Sequence, residues 1–390
     1  METPAIEPHP IRTASLARCV LVADATPRHA AALRRRLHSM GLNNVHLAPD
    51  SAAAAARIAA QPVDLLLLDI AMPGAFALLE TLAQSGRIEN TPVVITAASP
   101  DIKPIVRAIK LGAEGFLLKP CPTTLLRARV LATLEKKALR DRVREELARK
   151  QTELAEARRL QLALAPPPYA DAALSLDVAL EPAWEIGGDL VDHIRLDDGR
   201  HVLVLGDVSG KGAGAALMMA RCHALMRGAA APLLTAALPE GLARTAGLLN
   251  RELAANNASC MFITMLIAVF DPADGRLDYI RCGHVPPFLR RTNGAVERLN
   301  NARGLPLGIE ETAIYTAATT HLHAGESLLI LSDGITEATA PDDTLFADMR
   351  VVDWLAEPQT TLASLVAKVR AFEAGQPAAD DVAALLVHRK

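Results

Sequence analysis

Between Leu16 and about Glu135, short apolar runs alternate with stretches that repeat apolar residues at helical spacing. The runs are CVLVAD, VDLLLLDIAMPG, PVVITAAS and GFLLKP; between them lie HAAALRRRLHSMG and a helical segment from Ile105 to Leu111. Runs without polar alternation are buried on both faces and need helices to cover them, so the pattern predicts a parallel sheet with crossover helices. From Lys136 to Pro167 the chain is dense in helix formers and meets Pro166, Pro167 and Pro168, which predicts a helix with a hard stop. Val143, Lys150, Ala157 and Leu164 share one heptad position, and Leu147, Leu154 and Gln161 the other. That short, imperfect seam fits a parallel homodimer or a helix lying on its own domain. Beyond Pro168, apolar strands end in glycine-flanked acidic turns, and Met261 to Phe270 reads as a buried strand, about half the roughly 20 residues that cross a bilayer.

The 390 residues exceed one ordinary core, so the chain is divided into a loose tail (1–15), a first domain (16–135), a helical linker (136–167) and a second domain (168–390). Aromatics are 3% against 51% hydrophobic residues, so Ala, Leu and Val fill the cores. A net charge of -3 gives no global pull toward nucleic acid or anionic membrane, and neither is expected as a partner. The cysteines Cys19, Cys121, Cys222, Cys260 and Cys282 form no CxxC pair and read as reduced, mostly buried thiols. With no apolar signal core in METPAIEPHPIRTASLA, the expected location is the cytoplasm.

Ligands of parallel sheets gather at the carboxyl ends of the strands. In the first domain those ends offer Asp24, Asp69, Thr96 and Lys119. With these residues in that order, the segment resembles a bacterial response-regulator receiver domain. The resemblance implies a flavodoxin-like fold with a five-stranded parallel sheet, an upstream histidine kinase, and Asp69 as phosphoacceptor. It further implies Thr96 and Lys119 on the phosphoryl oxygens, Phe116 as the aromatic switch, and Mg²⁺ held by Asp24 and Asp69. Ala25 stands where such domains usually carry a second acid, and the loss of a carboxylate weakens a hard-cation site.

In the second domain the acidic positions are Asp189 in EIGGDLVD, Asp207 in VLVLGDVSGKG, Asp333 in LLILSDGITEA, and Asp380 with Asp381 in AADDVAALLV. Gathering carboxylates without a cation costs about 4 kcal/mol for each pair at roughly 4 Å and an effective dielectric of 20, so convergence calls for metal. Oxygen ligands without His or Cys favour Mg²⁺ or Mn²⁺ over Zn²⁺. GGD, GDVSGKG with AALMM, MFIT, YIRCGHVPPFL, GLPLG, SDGITEA and the final DD follow in order, and the region resembles the PPM-type, metal-dependent serine/threonine phosphatases of the bacterial sigma-factor-regulating branch. This implies an α+β fold, an antiparallel β-sandwich flanked by helices, holding two Mn²⁺ or Mg²⁺ ions. It implies that Asp207 bridges the metals with the Val208 carbonyl beside it, that Asp333 and Asp380 bind the first metal, and that Asp189 supports the second. Catalysis would run through metal-activated water, on phosphoserine or phosphothreonine of a partner protein, an anti-sigma-factor antagonist by kinship.

Ala383 replaces a usual threonine and is expected to weaken support of the last loop; Cys282 reads as a core change. GDVSGKG has three residues between Gly206 and Gly210 where a P-loop needs four. His284 reads as structural, and His321 with His323 as exposed polar alternation. The competing function is a catalytically silent adaptor that uses both folds to bind a partner.

Overall fold

The computed structural model describes residues 18–390 apart from 99–100, 231, 233, 235–237, 256 and 359. The expected tail, 1–15, lies outside the described residues. The chain folds as two units, 1–150 and 151–390.

The first unit is built on β1 (Val20–Ala23), β2 (Val45–Ala48), β3 (Leu65–Asp69), β4 (Val93–Ala97) and β5 (Gly115–Leu118). They form one sheet of order β2-β1-β3-β4-β5, parallel throughout. Every residue of β1, β3 and β4 is buried, as expected of strands covered on both faces. One face packs Leu66, Leu68 and Ile95 against helices Ser51–Ala60 and Ala75–Gln84. The other packs Val20, Val22 and Leu67 with Leu126, Val130 and Leu134. Those last three side chains belong to a helix running from Thr123 to Leu162. The helix expected from Lys136 is thus the continuation of the element that closes the first core, and it ends at Leu162, short of the prolines.

In the second unit, one sheet carries β8 (Leu190–Arg195), β9 (His201–Val208), β10 (Ile263–Phe270), β11 (Arg276–Cys282), β14 (Arg303–Gly304) and β15 (Ala318–His321). The other runs β13 (Val296–Arg298), β12 (Phe288–Arg290), β16 (Ser327–Leu331), β17 (Val382–Arg389), β7 (Leu174–Glu181) and β6 (Tyr169–Ala170). All pairings are antiparallel except β11 with β14. Leu203, Leu205, Leu266, Ile330 and Leu385 fill the space between the sheets. Helices Ala213–Leu225 and Glu240–Ala254 cover one outer face, and Ala347–Ala356 with Leu362–Glu373 the other. The expected sandwich, flanked by helices, is what forms. Cys282 is fully buried in one of these outer cores. Among the described residues no helix is long and apolar enough to cross a membrane.

Candidate active site

Strand register carries the acids to one end of the sandwich. Asp207 lies in the last two residues of β9, and β8 begins opposite it, Leu190 pairing with Gly206, so Asp189 falls beside it. On the other sheet Leu331 pairs with Ala384, which brings Asp333, just beyond β16, next to Asp380 and Asp381, just before β17.

Their electrostatics reflect this crowding. Burial, then the charges of Asp333, Asp380 and Asp381, push the Asp207 carboxyl up to about 7. Asp189 is raised well above the usual carboxylate range by burial, then by Asp207 and Asp381. Asp333 is raised by burial, then by Glu337 and Asp380. The Oδ2 of Asp189 is buried without a hydrogen-bond partner. Crowded carboxylates and an orphaned carboxylate oxygen are short of positive charge, and an all-oxygen donor set suits a hard divalent cation. In chemistry the four aspartates and the Val208 carbonyl therefore fit Mg²⁺ or Mn²⁺. In spacing the set is open: among the described residues, no three His, Cys, Asp or Glu side chains are arranged to hold one ion.

Asp381 does different work from its neighbour. Its Oδ1 accepts the N–H of Ala183 and its Oδ2 that of Gly188, both at 2.7 Å, which fastens the loop leading to Asp189. The glycines of that loop are sterically required: a Cβ on Gly187 would lie 2.1 Å from Asp381 Oδ2, and one on Gly188 would lie 2.9 Å from the Val208 carbonyl oxygen. Ser332 ties the last strand into place, its Oγ accepting the Ala383 N–H at 3.0 Å. Ala383 itself is buried and its own side chain offers no such bond. Lys211 donates to the Ala379 carbonyl and sits 3.8 Å from Asp380 Oδ2.

His284 is buried, with Nδ1 2.9 Å from Thr264 Oγ1, and Thr264 is the cross-strand partner of Asp207. Burial pushes its ring down to about 4, so at neutral pH it is an uncharged structural group. His321 and His323 stack with ring centroids 6.0 Å apart, both exposed.

The first unit has its own acidic site. Asp24, Asp69 and Thr96 are buried at the ends of β1, β3 and β4, with Asp69 in register with Thr96. Lys119 Nζ lies 2.7 Å from Asp24 Oδ2 and 3.0 Å from Asp69 Oδ2, so one ammonium faces two carboxylates. Ala25 is exposed and adds no oxygen. Phe116 points outward from β5 and is 40% exposed.

A receiver domain followed by a PP2C-type phosphatase fold is the class that these two units define. Residues 20–131 match the response regulator receiver domain family, and residues 197–390 match the stage II sporulation protein E (SpoIIE) family. Protein IcfG of Synechocystis sp. (strain ATCC 27184 / PCC 6803 / Kazusa) is 28% identical over 201 residues, 46% of this chain and 32% of that protein. Phosphoserine phosphatase RsbU of Bacillus subtilis (strain 168) is 30% identical over 168 residues, 42% of this chain and 47% of that protein. The chain thus spans 32% and 47% of the length of these two relatives. In fold, it is similar to the SiaA-PP2C domain of Pseudomonas aeruginosa, with a TM-score of 0.52 at 18% identity over 63% of this chain and 98% of that one.

Sequence reasoning missed Asp381 as a staple, Ser332 as its brace, and the contact that Gln161 makes with this loop. Adjacent acids signal a site without saying which of them faces it.

Proposed function

We propose that the second unit is a metal-dependent protein phosphatase acting on phosphoserine or phosphothreonine, and that the receiver controls it. The observation that carries this reading is the convergence of Asp189, Asp207, Asp333 and Asp380 at one end of the sandwich, with the carboxyls of the first three raised by burial and mutual repulsion. Asp207, Asp333 and Asp380 would hold Mn²⁺ or Mg²⁺, with the Val208 carbonyl and Asp189 completing the donors. Bound there, divalent cations lower the pKa of water and offset charge on phosphoryl oxygens. The chain's own contribution is to hold those donors on strand ends, with Asp381 and Ser332 fixing the two loops. Lys211, half exposed, brings its ammonium to 3.8 Å from Asp380 Oδ2.

The substrate in this reading is a phosphorylated anti-sigma-factor antagonist, the phosphate on Asp69 comes from a histidine kinase, and the setting is the cytoplasm. Mg²⁺ at Asp24 and Asp69 would serve the receiver, with one acid fewer because of Ala25. Homodimerisation through the long helix is supported by an exposed apolar stripe, Leu139, Val143 and Leu147. The second reading is a catalytically silent adaptor that uses both folds to bind a partner. Hydrolysis of an aryl phosphate with Mn²⁺, abolished in Asp207→Ala and Asp333→Ala, separates the two; a wild type with no Mn²⁺-dependent turnover on that compound or on phosphoproteins leaves the adaptor.

A further inference from the structure

The last turn of the Thr123–Leu162 helix ends in a buried amide. Gln161 is 8% exposed in a helix whose neighbouring positions face solvent. Its Nε2 donates to the Gly187 carbonyl at 2.6 Å, and its Oε1 accepts the Gly187 N–H at 3.1 Å. A primary amide carries a donor and an acceptor side by side, so one uncharged side chain meets both the N–H and the carbonyl of the same residue. Three residues earlier, on the same helix face, Arg158 Nη1 donates to the Trp184 carbonyl at 3.0 Å. The opposite side of the loop is held by Asp381 through Ala183 and Gly188. The segment 183–188 is thereby clasped between the end of the helix and the acid next to Asp380, and Asp189 follows it directly.

We infer that Gln161 is a positioning residue for the phosphatase site: its two-point bond to Gly187 sets the loop that presents Asp189, and so sets the site's affinity for divalent cation. This rests on the phosphatase reading above. A seam position of the heptad pattern is thus turned inward, toward the second unit's own loop.

The test uses the full chain, with Mn²⁺ binding followed by the electron paramagnetic resonance of free Mn²⁺, alongside aryl phosphate hydrolysis. Gln161→Leu keeps the volume and removes both hydrogen bonds. It is expected to weaken Mn²⁺ binding about tenfold or more, while kcat at saturating Mn²⁺ falls far less. Arg159→Ala, whose ion pair is with exposed Glu156, leaves both unchanged. Gln161→Glu guards against a folding defect. Its protonated carboxyl copies the amide's donor and acceptor, whereas its carboxylate opposes the Gly187 carbonyl, so its Mn²⁺ affinity relative to wild type should rise from pH 8 to pH 5.5. Side-chain packing alone would give a ratio independent of pH. Equal Mn²⁺ affinity in wild type and Gln161→Leu, or a flat ratio for Gln161→Glu, overturns the inference. A wild type that neither binds Mn²⁺ nor turns over sinks the phosphatase reading itself.

Discussion

Asp381 Oδ2 accepts the backbone N–H of Gly188 at 2.7 Å, and the same carboxylate takes the N–H of Ala183 through Oδ1. One side chain, 193 residues further along, thus replaces the water that two loop amides would otherwise bind. Asp381→Ala leaves both without an acceptor, at about 1 to 2 kcal/mol each, so the second unit should lose about 2 to 4 kcal/mol. Hydrogen exchange is the suitable measurement, because it reads β8 and β17 without assuming one transition for the chain. Gly187→Ala should fail more severely, since its Cβ and Asp381 Oδ2 claim the same space.

In the first unit Lys119 answers two buried carboxylates with one charge. Lys119→Met would leave Asp24 and Asp69 facing each other unpaired, at a cost of about 3 kcal/mol. Faster exchange in β1 and β3, with the second unit unchanged, is the expected result. Ala25→Asp restores an acid at the edge of this site, and should raise the rate at which acetyl phosphate with Mg²⁺ labels Asp69. Asp69→Asn should abolish the acid-labile adduct altogether.

Strand ends were legible from sequence because burial on both faces leaves an unmistakable apolar run, and the first polar residue after it must be at the sheet's edge. That logic found Asp24, Asp69, Thr96 and Lys119, and it found Asp207 and Asp333. It could not separate Asp380 from Asp381, which differ only in which side of the backbone they take at the start of β17. Nor could it find the role of Gln161, which the heptad pattern assigns to a seam and whose partner is a peptide group, invisible in any pattern of side chains. The start of the long helix at Thr123 was legible but unread: Pro120 and Pro122 precede it, and no glycine or proline interrupts the chain from Thr123 to Leu162.

The stripe of Leu139, Val143 and Leu147 is 63%, 48% and 55% exposed, on a helix stretch otherwise lined by charge. Apolar side chains at helical spacing and open to water gain by pairing with a second copy. Sedimentation should therefore show a dimer whose dissociation constant rises at least about tenfold in Leu147→Lys, the loss expected when a charge replaces one seam contact. An unchanged association state would assign the stripe no part in self-association.

The lowered rings of His193 and His201 set the sign of an expected acid sensitivity. His193 Nε2 lies 3.0 Å from His201 Nδ1 and the rings stack at 5.3 Å, so one nitrogen must donate and the other accept. Burial, then His201, pushes His193 down to about 4, with Arg227 acting the same way and Asp192 and Asp171 opposing. Burial lowers His201 as well, against Asp171 and with Arg195. In the unfolded chain both rings titrate near about 6.5. Between that value and about 4 the unfolded state binds protons that the folded state refuses, so stability is present above about 6.5 and is lost as pH falls. His193→Gln keeps a hydrogen-bonding group at the contact but cannot be charged. The fall in thermal midpoint from pH 7 to pH 5 should be smaller in that variant than in wild type. Parallel pH profiles for the two proteins would show that this pair does not set the acid limit.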